Sequence, residues 1–246
     1  MNALFFFAAA KSGELELVYV WNEARPEAKI IIVCLAIFSI VAWSVMVRKA
    51  IQMSRAKKLN GFFTSEFRNQ KHVLDLFDRR LQVDACPLFV VYAAGSLELD
   101  ARLRSASGEG RKKSVSLKSI EHVKRLLENA VSQEALKLES GLILLAIAVS
   151  GGPFLGLLGT VWGVMETFAD VAKAGSASLA AMAPGVSAAL ITTVTGLLVA
   201  IPAMFGYNFL VTTVRSMLVQ ADNFAAEFSS EIEHRFVEFG SRRGQS

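Results

Sequence analysis

The side chains best placed for chemistry are threonines inside long apolar stretches. Thr160 lies in one charge-free stretch, and Thr193 lies in another with Ser187, Thr192 and Thr195. A hydroxyl has one donor and two acceptor sites, so it can bind a carboxyl group in either protonation state without holding a proton itself. If protons pass here, we expect the titrating acid to come from an inserted partner helix. The alternative is that each hydroxyl only bonds to its own helix or holds neighbouring helices together.

Three stretches are long and apolar enough to position these threonines within a membrane. About 20 helical residues cross a hydrocarbon core of about 30 Å. The predicted spans are residues 30–47, 141–166 and 186–214. No charged residue lies between Glu139 and Glu166 or between Lys173 and Arg215, and 53% of the chain is hydrophobic. We therefore predict an all-α integral membrane protein that crosses the membrane three times.

The basic residues predict the orientation of the chain. Of the 26 Lys and Arg residues, most lie between the first two spans, whereas Lys173 alone lies between the second and third. Short segments rich in Lys and Arg stay in the cytoplasm, so we expect the N-terminus outside and the C-terminus inside. The other segments are then a periplasmic interfacial segment, a cytoplasmic helical region, a periplasmic turn and a cytoplasmic C-terminal helix: residues 1–29, 48–140, 167–185 and 215–246.

The predicted cytoplasmic region has the pattern of packed helices. Apolar residues recur at helical spacing from Arg48 to Arg80, from Leu117 to Leu138 and again after the third span. Pro87 predicts the start of a separate element. Because no proline separates Leu138 from the second span, we expect the helix that begins near Leu117 to continue into that span without a break.

Small residues and prolines within the predicted spans affect how closely the helices pack and whether they bend. Small-xxx-small pairs let helices approach closely, and the second span has two such pairs. They are formed by Gly152, Gly156, Gly159 and Gly163. They predict close packing, either between subunits or within the chain. Pro153 and Pro202 remove backbone hydrogen bonds and are expected to kink the second and third spans.

Sequence spacing places Thr160 and Thr193 at a similar depth. Thr160 lies about 9 Å along the helix from Glu166, and Thr193 lies about 13 Å from Pro184. Several copies around an axis would then form a polar ring in the outer half of the membrane. Glu166 is a weaker candidate for an auxiliary acid, because its place at the outer end of the span favours a hydrated interfacial residue.

Motifs of common enzymes are missing from the sequence. It has no Gly-Lys-Ser phosphate loop, its three histidines lack metal-ligand spacing, and Ser150 has no acid or base nearby. Cys34 and Cys86 are too differently placed to suggest a disulfide. The basic region between the first two spans also carries acids throughout, which argues against a nucleic-acid site. We expect no catalysis, no metal or other cofactor, and no nucleic acid partner.

Three runs resemble the ExbB/TolQ/MotA proton-channel family, most closely its ExbB and TolQ branch. They are PFLGLLGTVWGVM at 153–165, APGV at 183–186 and GLLVAIPA at 196–203. The resemblance implies a bacterial inner-membrane subunit that forms a pentamer around two copies of a single-span ExbD- or TolR-like partner, whose membrane aspartate carries the proton. It maps the family's pore threonines onto Thr160 and Thr193. Relatives commonly have a glutamate where this chain has Ala188, so a function of that acid is absent or moved here.

The sequence therefore predicts a stator-like motor subunit that couples the proton-motive force to movement of a periplasmic partner. Outer-membrane uptake, envelope maintenance and surface motility are all compatible tasks. The alternative is a non-conducting oligomeric scaffold, in which the threonines only pack helices. A solute exporter would need a substrate-sized cavity, which a chain with three spans would have to assemble from several copies.

Overall fold

The computed structural model describes residues 26–70, 72–104, 115–175 and 178–236, and these residues form six helices. The helices are α1 (Pro26–Asn69), α2 (Asp75–Asp78), α3 (Pro87–Arg104), α4 (Leu117–Glu139), α5 (Leu142–Ala174) and α6 (Leu179–Phe236). Most of the predicted interfacial segment and the last ten residues of the predicted C-terminal helix lie outside the described residues. Residues 26–29, the end of that interfacial segment, belong to α1.

Three of the helices carry the predicted spans. α1, α5 and α6 are long and apolar enough to cross a membrane, so the predicted all-α class with three helices of spanning length is confirmed. Pro87 begins α3, as the sequence predicts. Pro153 lies inside α5 and Pro202 lies inside α6, while the kinks expected from them stay a prediction. The orientation across the membrane also stays a prediction.

The prediction that the helix before the second span continues into it is wrong. α4 ends at Glu139, and α5 begins at Leu142. Between them Gly141 has a φ of 81°, a left-handed conformation that glycine adopts without strain and that interrupts a right-handed helix. A proline is therefore not required for the break.

Helices occupy most of residues 167–185, whose place as a periplasmic turn stays a prediction. α5 continues through Glu166 to Ala174, and Gly175 ends it with a φ of 66°. α6 then begins at Leu179. Polar and charged residues mark where a helix leaves an apolar environment, but they do not end it, because the helical hydrogen bonds continue through them. The helix ends where a glycine permits the left-handed conformation.

Contacts within the chain define two compact units. The span unit comprises Met1–Val47 and Gly141–Phe209, and the polar unit comprises Arg48–Ser140 and Leu210–Ser246. The backbone passes from one unit to the other at three points, which follow Val47, Ser140 and Phe209. The candidate threonines all lie in the span unit.

An aromatic core holds the polar unit together. Phe63 and Phe67 of α1, Tyr92 of α3, and Phe224 and Phe228 of α6 are all buried. The ring centroids of Phe67 and Phe224 are 5.0 Å apart in an edge-to-face arrangement, and those of Tyr92 and Phe228 are 5.1 Å apart. Such pairs add to the free energy of apolar burial. Apolar residues of α4 complete this core: Ile120, Val123 and Leu127.

Tyr92 also provides the polar contacts within that core. Its hydroxyl donates to the Val73 carbonyl at 2.9 Å and accepts from the Phe77 N–H at 3.1 Å. Burial raises the pKa of the Tyr92 phenol, so the hydroxyl keeps the proton that it donates. The tyrosine therefore satisfies two backbone groups in the segment before α3.

Replacing Tyr92 by phenylalanine is expected to lower the free energy of unfolding by about 1–3 kcal/mol, because two buried backbone groups would lose their partner. Thermal or denaturant unfolding of the whole chain in detergent measures this change. Tyr207→Phe is the matched control, since within the described part of the chain the Tyr207 hydroxyl makes no hydrogen bond. Equal decreases in the free energy of unfolding in the two variants would contradict the role of the Tyr92 hydroxyl.

Candidate functional site

Matched stripes of small residues let α5 and α6 pack closely against each other. The stripe on α5 consists of the four predicted glycines: Gly152, Gly156, Gly159 and Gly163. A Cβ atom added at Gly152 would lie 3.3 Å from Cβ of Ala200, and one added at Gly163 would lie 2.7 Å from Cβ of Ala189. Positions that ascend along α5 oppose positions that descend along α6, so the two helices are antiparallel.

The four glycines therefore serve packing within the chain. A Cβ added at Gly156 would lie 2.9 Å from both the Thr192 carbonyl oxygen and the Thr193 Cα atom, which are backbone atoms of α6. Of the two readings that the sequence left open, the structure supports the intramolecular one. Their role in the spacing between subunits stays a prediction.

This close approach brings three threonine hydroxyls together in the middle of the α5–α6 pair. The Oγ1 atoms of Thr160 and Thr193 are in direct hydrogen-bonding contact. The Thr160 Oγ1 lies 3.5 Å from the Oγ1 of Thr192. The structure thus places side by side the two residues that sequence spacing put at one depth. Thr160, Thr192 and Thr193 are called the threonine cluster below.

Two backbone carbonyl oxygens accept hydrogen bonds from the threonine cluster. The Gly156 carbonyl lies 3.2 Å from Thr160 Oγ1, 3.0 Å from Thr192 Oγ1 and 3.1 Å from Thr193 Oγ1. The Ala189 carbonyl lies 2.6 Å from Thr192 Oγ1 and 3.2 Å from Thr160 Oγ1. Five oxygen atoms from two helices therefore form one connected hydrogen-bonding group.

The threonine cluster can exchange its hydrogen bonds without large movements. Each hydroxyl has a single proton, yet the Thr160 hydroxyl has two carbonyls and two other hydroxyls within reach. Rotation about one C–O bond changes which oxygen receives the proton. A hydroxyl freed in this way can donate to an ionised carboxylate or accept from a protonated one. Within the described residues, no three His, Cys, Asp or Glu side chains are arranged to hold a metal.

Exposure separates the three members of the cluster. Thr192 is completely buried, whereas Thr160 and Thr193 are half-buried and reach the surface of the α5–α6 pair. Thr160 and Thr193 are therefore the members of the cluster that another molecule can approach, whereas Thr192 is enclosed. The sequence showed Thr192 as a polar residue of the third span but gave no reason to include it in the site. Its spacing of three residues from Ala189 and four from Gly196, on the small-residue stripe, was the available signal.

Two other hydroxyl residues of the third span do not belong to this cluster. Thr195 donates to the carbonyl of Ile191 at 2.8 Å, within its own helix. Ser187 is exposed. Thr195 therefore fits the alternative in which a hydroxyl only bonds to its own helix.

A cavity of about 340 Å³ adjoins the threonine cluster within the span unit. It extends from Glu27, Glu166 and Asp170 to Gly159 and Ala189, whose carbonyl belongs to the cluster's acceptors. The predicted auxiliary acid thus lies in the cavity, where the Trp162 Nε1–H donates to its Oε1 at 3.0 Å. Ala188 lines the same cavity. The cavity thus brings three carboxylate side chains to the neighbourhood of the threonine cluster, although none of the cluster's own threonines lines it.

Comparison with known proteins places these features in a family. A model of the MotA/TolQ/ExbB proton channel family matches residues 98–223, which include the glycine stripe and the threonine cluster. The chain is 33% identical over 213 residues to the biopolymer transport protein ExbB of Xanthomonas campestris pv. campestris, covering 87% of this chain and 82% of that protein. It is also 33% identical over 222 residues to the Tol-Pal system protein TolQ of Pseudomonas aeruginosa, covering 88% and 91%. The TolQ protein of Haemophilus influenzae is 29% identical over 228 residues, covering 91% and 96%.

Proposed function

This chain belongs to the MotA/TolQ/ExbB proton channel family, and from that premise we propose that it conducts protons across the bacterial inner membrane in complex with a single-span partner. The partner is an ExbD- or TolR-like protein whose membrane aspartate carries the proton. The predicted assembly is a pentamer around two copies of that partner, with the N-terminus of each chain outside. This chain is 33% identical both to an ExbB protein and to a TolQ protein, so the sequence identities do not favour one of these two branches over the other.

The observation that carries the proposal is the direct contact between the hydroxyls of two half-buried residues of the threonine cluster, Thr160 and Thr193. A lone hydroxyl in hydrocarbon is satisfied by its own helix. Here the hydroxyl of Thr160 on α5 contacts the hydroxyl of Thr193 on α6. Each can donate its hydrogen bond either to the other hydroxyl or to the Gly156 carbonyl. This arrangement suits a carboxyl group that arrives in one protonation state and leaves in the other.

The proton path then divides between the chain and its partner. The aspartate takes up a proton because burial in the span raises the pKa of a carboxyl group. The hydroxyls of Thr160 and Thr193 bind that group in both states, so the partner helix can pass them without leaving a buried charge unsatisfied. We place the cavity beside Glu166 and Asp170 on the outer side, where it gives water access to these carboxylates and to Gly159 and Ala189, which adjoin the cluster. The proposed role of Glu166 as an auxiliary acid concerns this cavity, which Glu166 lines.

The proton gradient supplies enough free energy for such a cycle. One charge that crosses a potential of 100 mV releases about 2.3 kcal/mol. A difference of this size between two arrangements of the partner shifts their equilibrium by more than tenfold. Proton passage can therefore drive the partner from one arrangement to the other, and the partner does its work in the periplasm.

The scaffold alternative also has an observation in its favour. Every hydroxyl of the threonine cluster already lies within hydrogen-bonding distance of a backbone carbonyl of the same chain. Hydroxyls that only hold α5 to α6 would look the same in the isolated chain. The two functions differ in their need for the partner's acid, because a scaffold does not require it.

Proton flux into liposomes tests the proposal. The chain is co-expressed with an ExbD- or TolR-like single-span protein, and the purified complex is reconstituted with a pH-sensitive dye under an imposed potential. We expect flux from the wild-type complex and none when the partner's aspartate is replaced by asparagine. A complex that forms equally well with asparagine but conducts no protons in either form would favour the scaffold. Flux that persists with asparagine would contradict the partner's role as carrier.

A further inference from the structure

Thr192 is the member of the threonine cluster that has no role in the proposed proton path. Its side chain is completely buried, and its Oγ1 lies 2.6 Å from the Ala189 carbonyl oxygen and 3.0 Å from the Gly156 carbonyl oxygen. The Thr160 Oγ1 lies within hydrogen-bonding distance of the same two carbonyls. Thr192 and Thr160 therefore compete for the same acceptors.

The carbonyl acceptors are too few for the three hydroxyls of the cluster. A carbonyl oxygen has two acceptor positions, and within an α-helix one of them receives the backbone N–H of the residue four positions further on. Gly156 lies inside α5 and Ala189 lies inside α6, so each carbonyl has one position left for a side chain. Three hydroxyl protons thus face two carbonyl positions. One proton has to be donated to a neighbouring hydroxyl or to a group outside the chain.

The distances indicate which residue has the remaining proton. Thr192 makes the shortest contact between a hydroxyl and a carbonyl in the cluster, 2.6 Å to Ala189, and its enclosed side chain faces no outside group. Once Thr192 occupies the Ala189 position, only the Gly156 position is left. Thr160 and Thr193 both reach that position, at 3.2 and 3.1 Å, but only one of them can use it. The other hydroxyl donates to its neighbour, with which it is in direct contact, or to an arriving carboxylate.

We infer that Thr192 is a positioning residue for the proton path, which acts through Thr160 by occupying the Ala189 carbonyl. This inference rests on the proposed function, because the remaining proton matters for flux only if a carboxyl group arrives. Without the Thr192 hydroxyl, Thr160 would donate to the Ala189 carbonyl, 3.2 Å from its Oγ1. Thr193 would donate to the Gly156 carbonyl. Both protons would then be held by the backbone, and such a hydrogen bond would have to break before either hydroxyl could donate to a carboxylate.

Replacing Thr192 by valine tests this role in the complete complex with the partner. We expect the proton flux per assembled complex to fall about three- to tenfold, which corresponds to one hydrogen bond that has to be broken. Thr192→Ser keeps the hydroxyl and should conduct like the wild type. Thr195→Val is the matched control, since the Thr195 hydroxyl donates to Ile191 within its own helix, and it should leave the flux unchanged. If Thr192→Val does not accumulate, Thr192→Ala removes the hydroxyl without adding an atom to the buried space.

A double variant separates positioning from general packing of α5 against α6. Because Thr192 acts through the hydroxyl of Thr160, the complex with both residues replaced by valine should conduct as much as the complex with Thr160→Val alone. Two residues that contribute independently would instead give losses that multiply. Flux is compared at equal amounts of assembled complex, so a lower yield of a variant does not affect the comparison.

A structure of the Thr192→Val complex tests the change in hydrogen bonding independently of conduction. The Thr160 Oγ1 should lie closer than 3.2 Å to the Ala189 carbonyl oxygen and should lose its contact with the Thr193 hydroxyl. Wild-type flux in Thr192→Val, losses that multiply in the double variant, or an unchanged contact between Thr160 and Thr193 would overturn the inference. A wild-type complex that does not conduct, while Thr192→Val still shows the change in hydrogen bonding, would instead overturn the proposed function.

Discussion

Replacing Gly156 by valine is expected to prevent the normal packing of α5 against α6 and to destabilise the protein by about 3 kcal/mol or more. Overpacking of a close contact costs about 1–3 kcal/mol where side chains can adjust, and more where they cannot. At Gly156 the added Cβ would meet the Thr192 carbonyl oxygen and the Thr193 Cα, each at 2.9 Å. These are backbone atoms, so the helices must separate.

The neighbouring Gly151 provides the control for this prediction. A Cβ added there has no atom within 4 Å, while the cost of valine in the helix itself is the same as at Gly156. Thermal unfolding of the purified chain in detergent, together with the yield of folded protein, measures both variants. A much lower yield and melting temperature for Gly156→Val alone is the expected result. Similar values for the two variants would show that the α5–α6 contact is not close at this position.

Replacing Thr193 by valine is expected to reduce proton flux about ten- to hundredfold while the complex still assembles. A hydrogen bond to a charged group contributes about 1.5–3 kcal/mol, and each 1.4 kcal/mol corresponds to a factor of ten. Valine has nearly the same shape as threonine. The Gly156 carbonyl would keep Thr160 and Thr192 as donors, so no buried acceptor would lose its last side-chain partner. The change therefore removes the hydroxyl of a half-buried residue with little effect on folding.

Two further substitutions make this result specific. Thr195→Val removes a hydroxyl that donates to Ile191 in its own helix, two residues from the cluster, and should leave flux unchanged. Thr193→Ser keeps the hydroxyl and should retain most of the flux. Liposome flux is compared at equal amounts of complex. Undiminished flux in Thr193→Val, or an equal loss in Thr195→Val, would show that the cluster has no particular role in conduction.

The pairing of Thr160 with Thr193 was predictable because helical rise and the ends of the apolar stretches determine the depth of a residue. Depth does not specify which side of a helix faces its neighbour. The burial of Thr192 and the exposure of Thr193 depend on the rotation of α6 against α5, which a single sequence does not encode in its spacing. The same limit applies to the glycines of α5, since a small-residue pattern has the same form within a chain and between chains.

The break at Gly141 and the buried Lys49 show a different limit of sequence reasoning. A single glycine within an otherwise helical pattern is compatible with either a continuous or an interrupted helix, and the packing around it decides. The contacts of Lys49 join residues that are 88 to 91 positions apart in the chain. In sequence Lys49 is one basic residue among many after the first span, so its hydrogen bonds to the carbonyls of Lys137 and Leu138 at the end of α4 became visible only in the folded structure.

The most direct test of the central claim is a structure of the assembled complex with its partner, in which the surroundings of the threonine cluster are measured. We expect the hydroxyls of Thr160 and Thr193 to face the partner's helix. In at least one subunit, one of them should lie within about 3 Å of the partner's carboxyl oxygens, the distance of a charge-assisted hydrogen bond. Hydroxyls turned toward lipid, or a central space filled by this chain's own side chains, would contradict the claim.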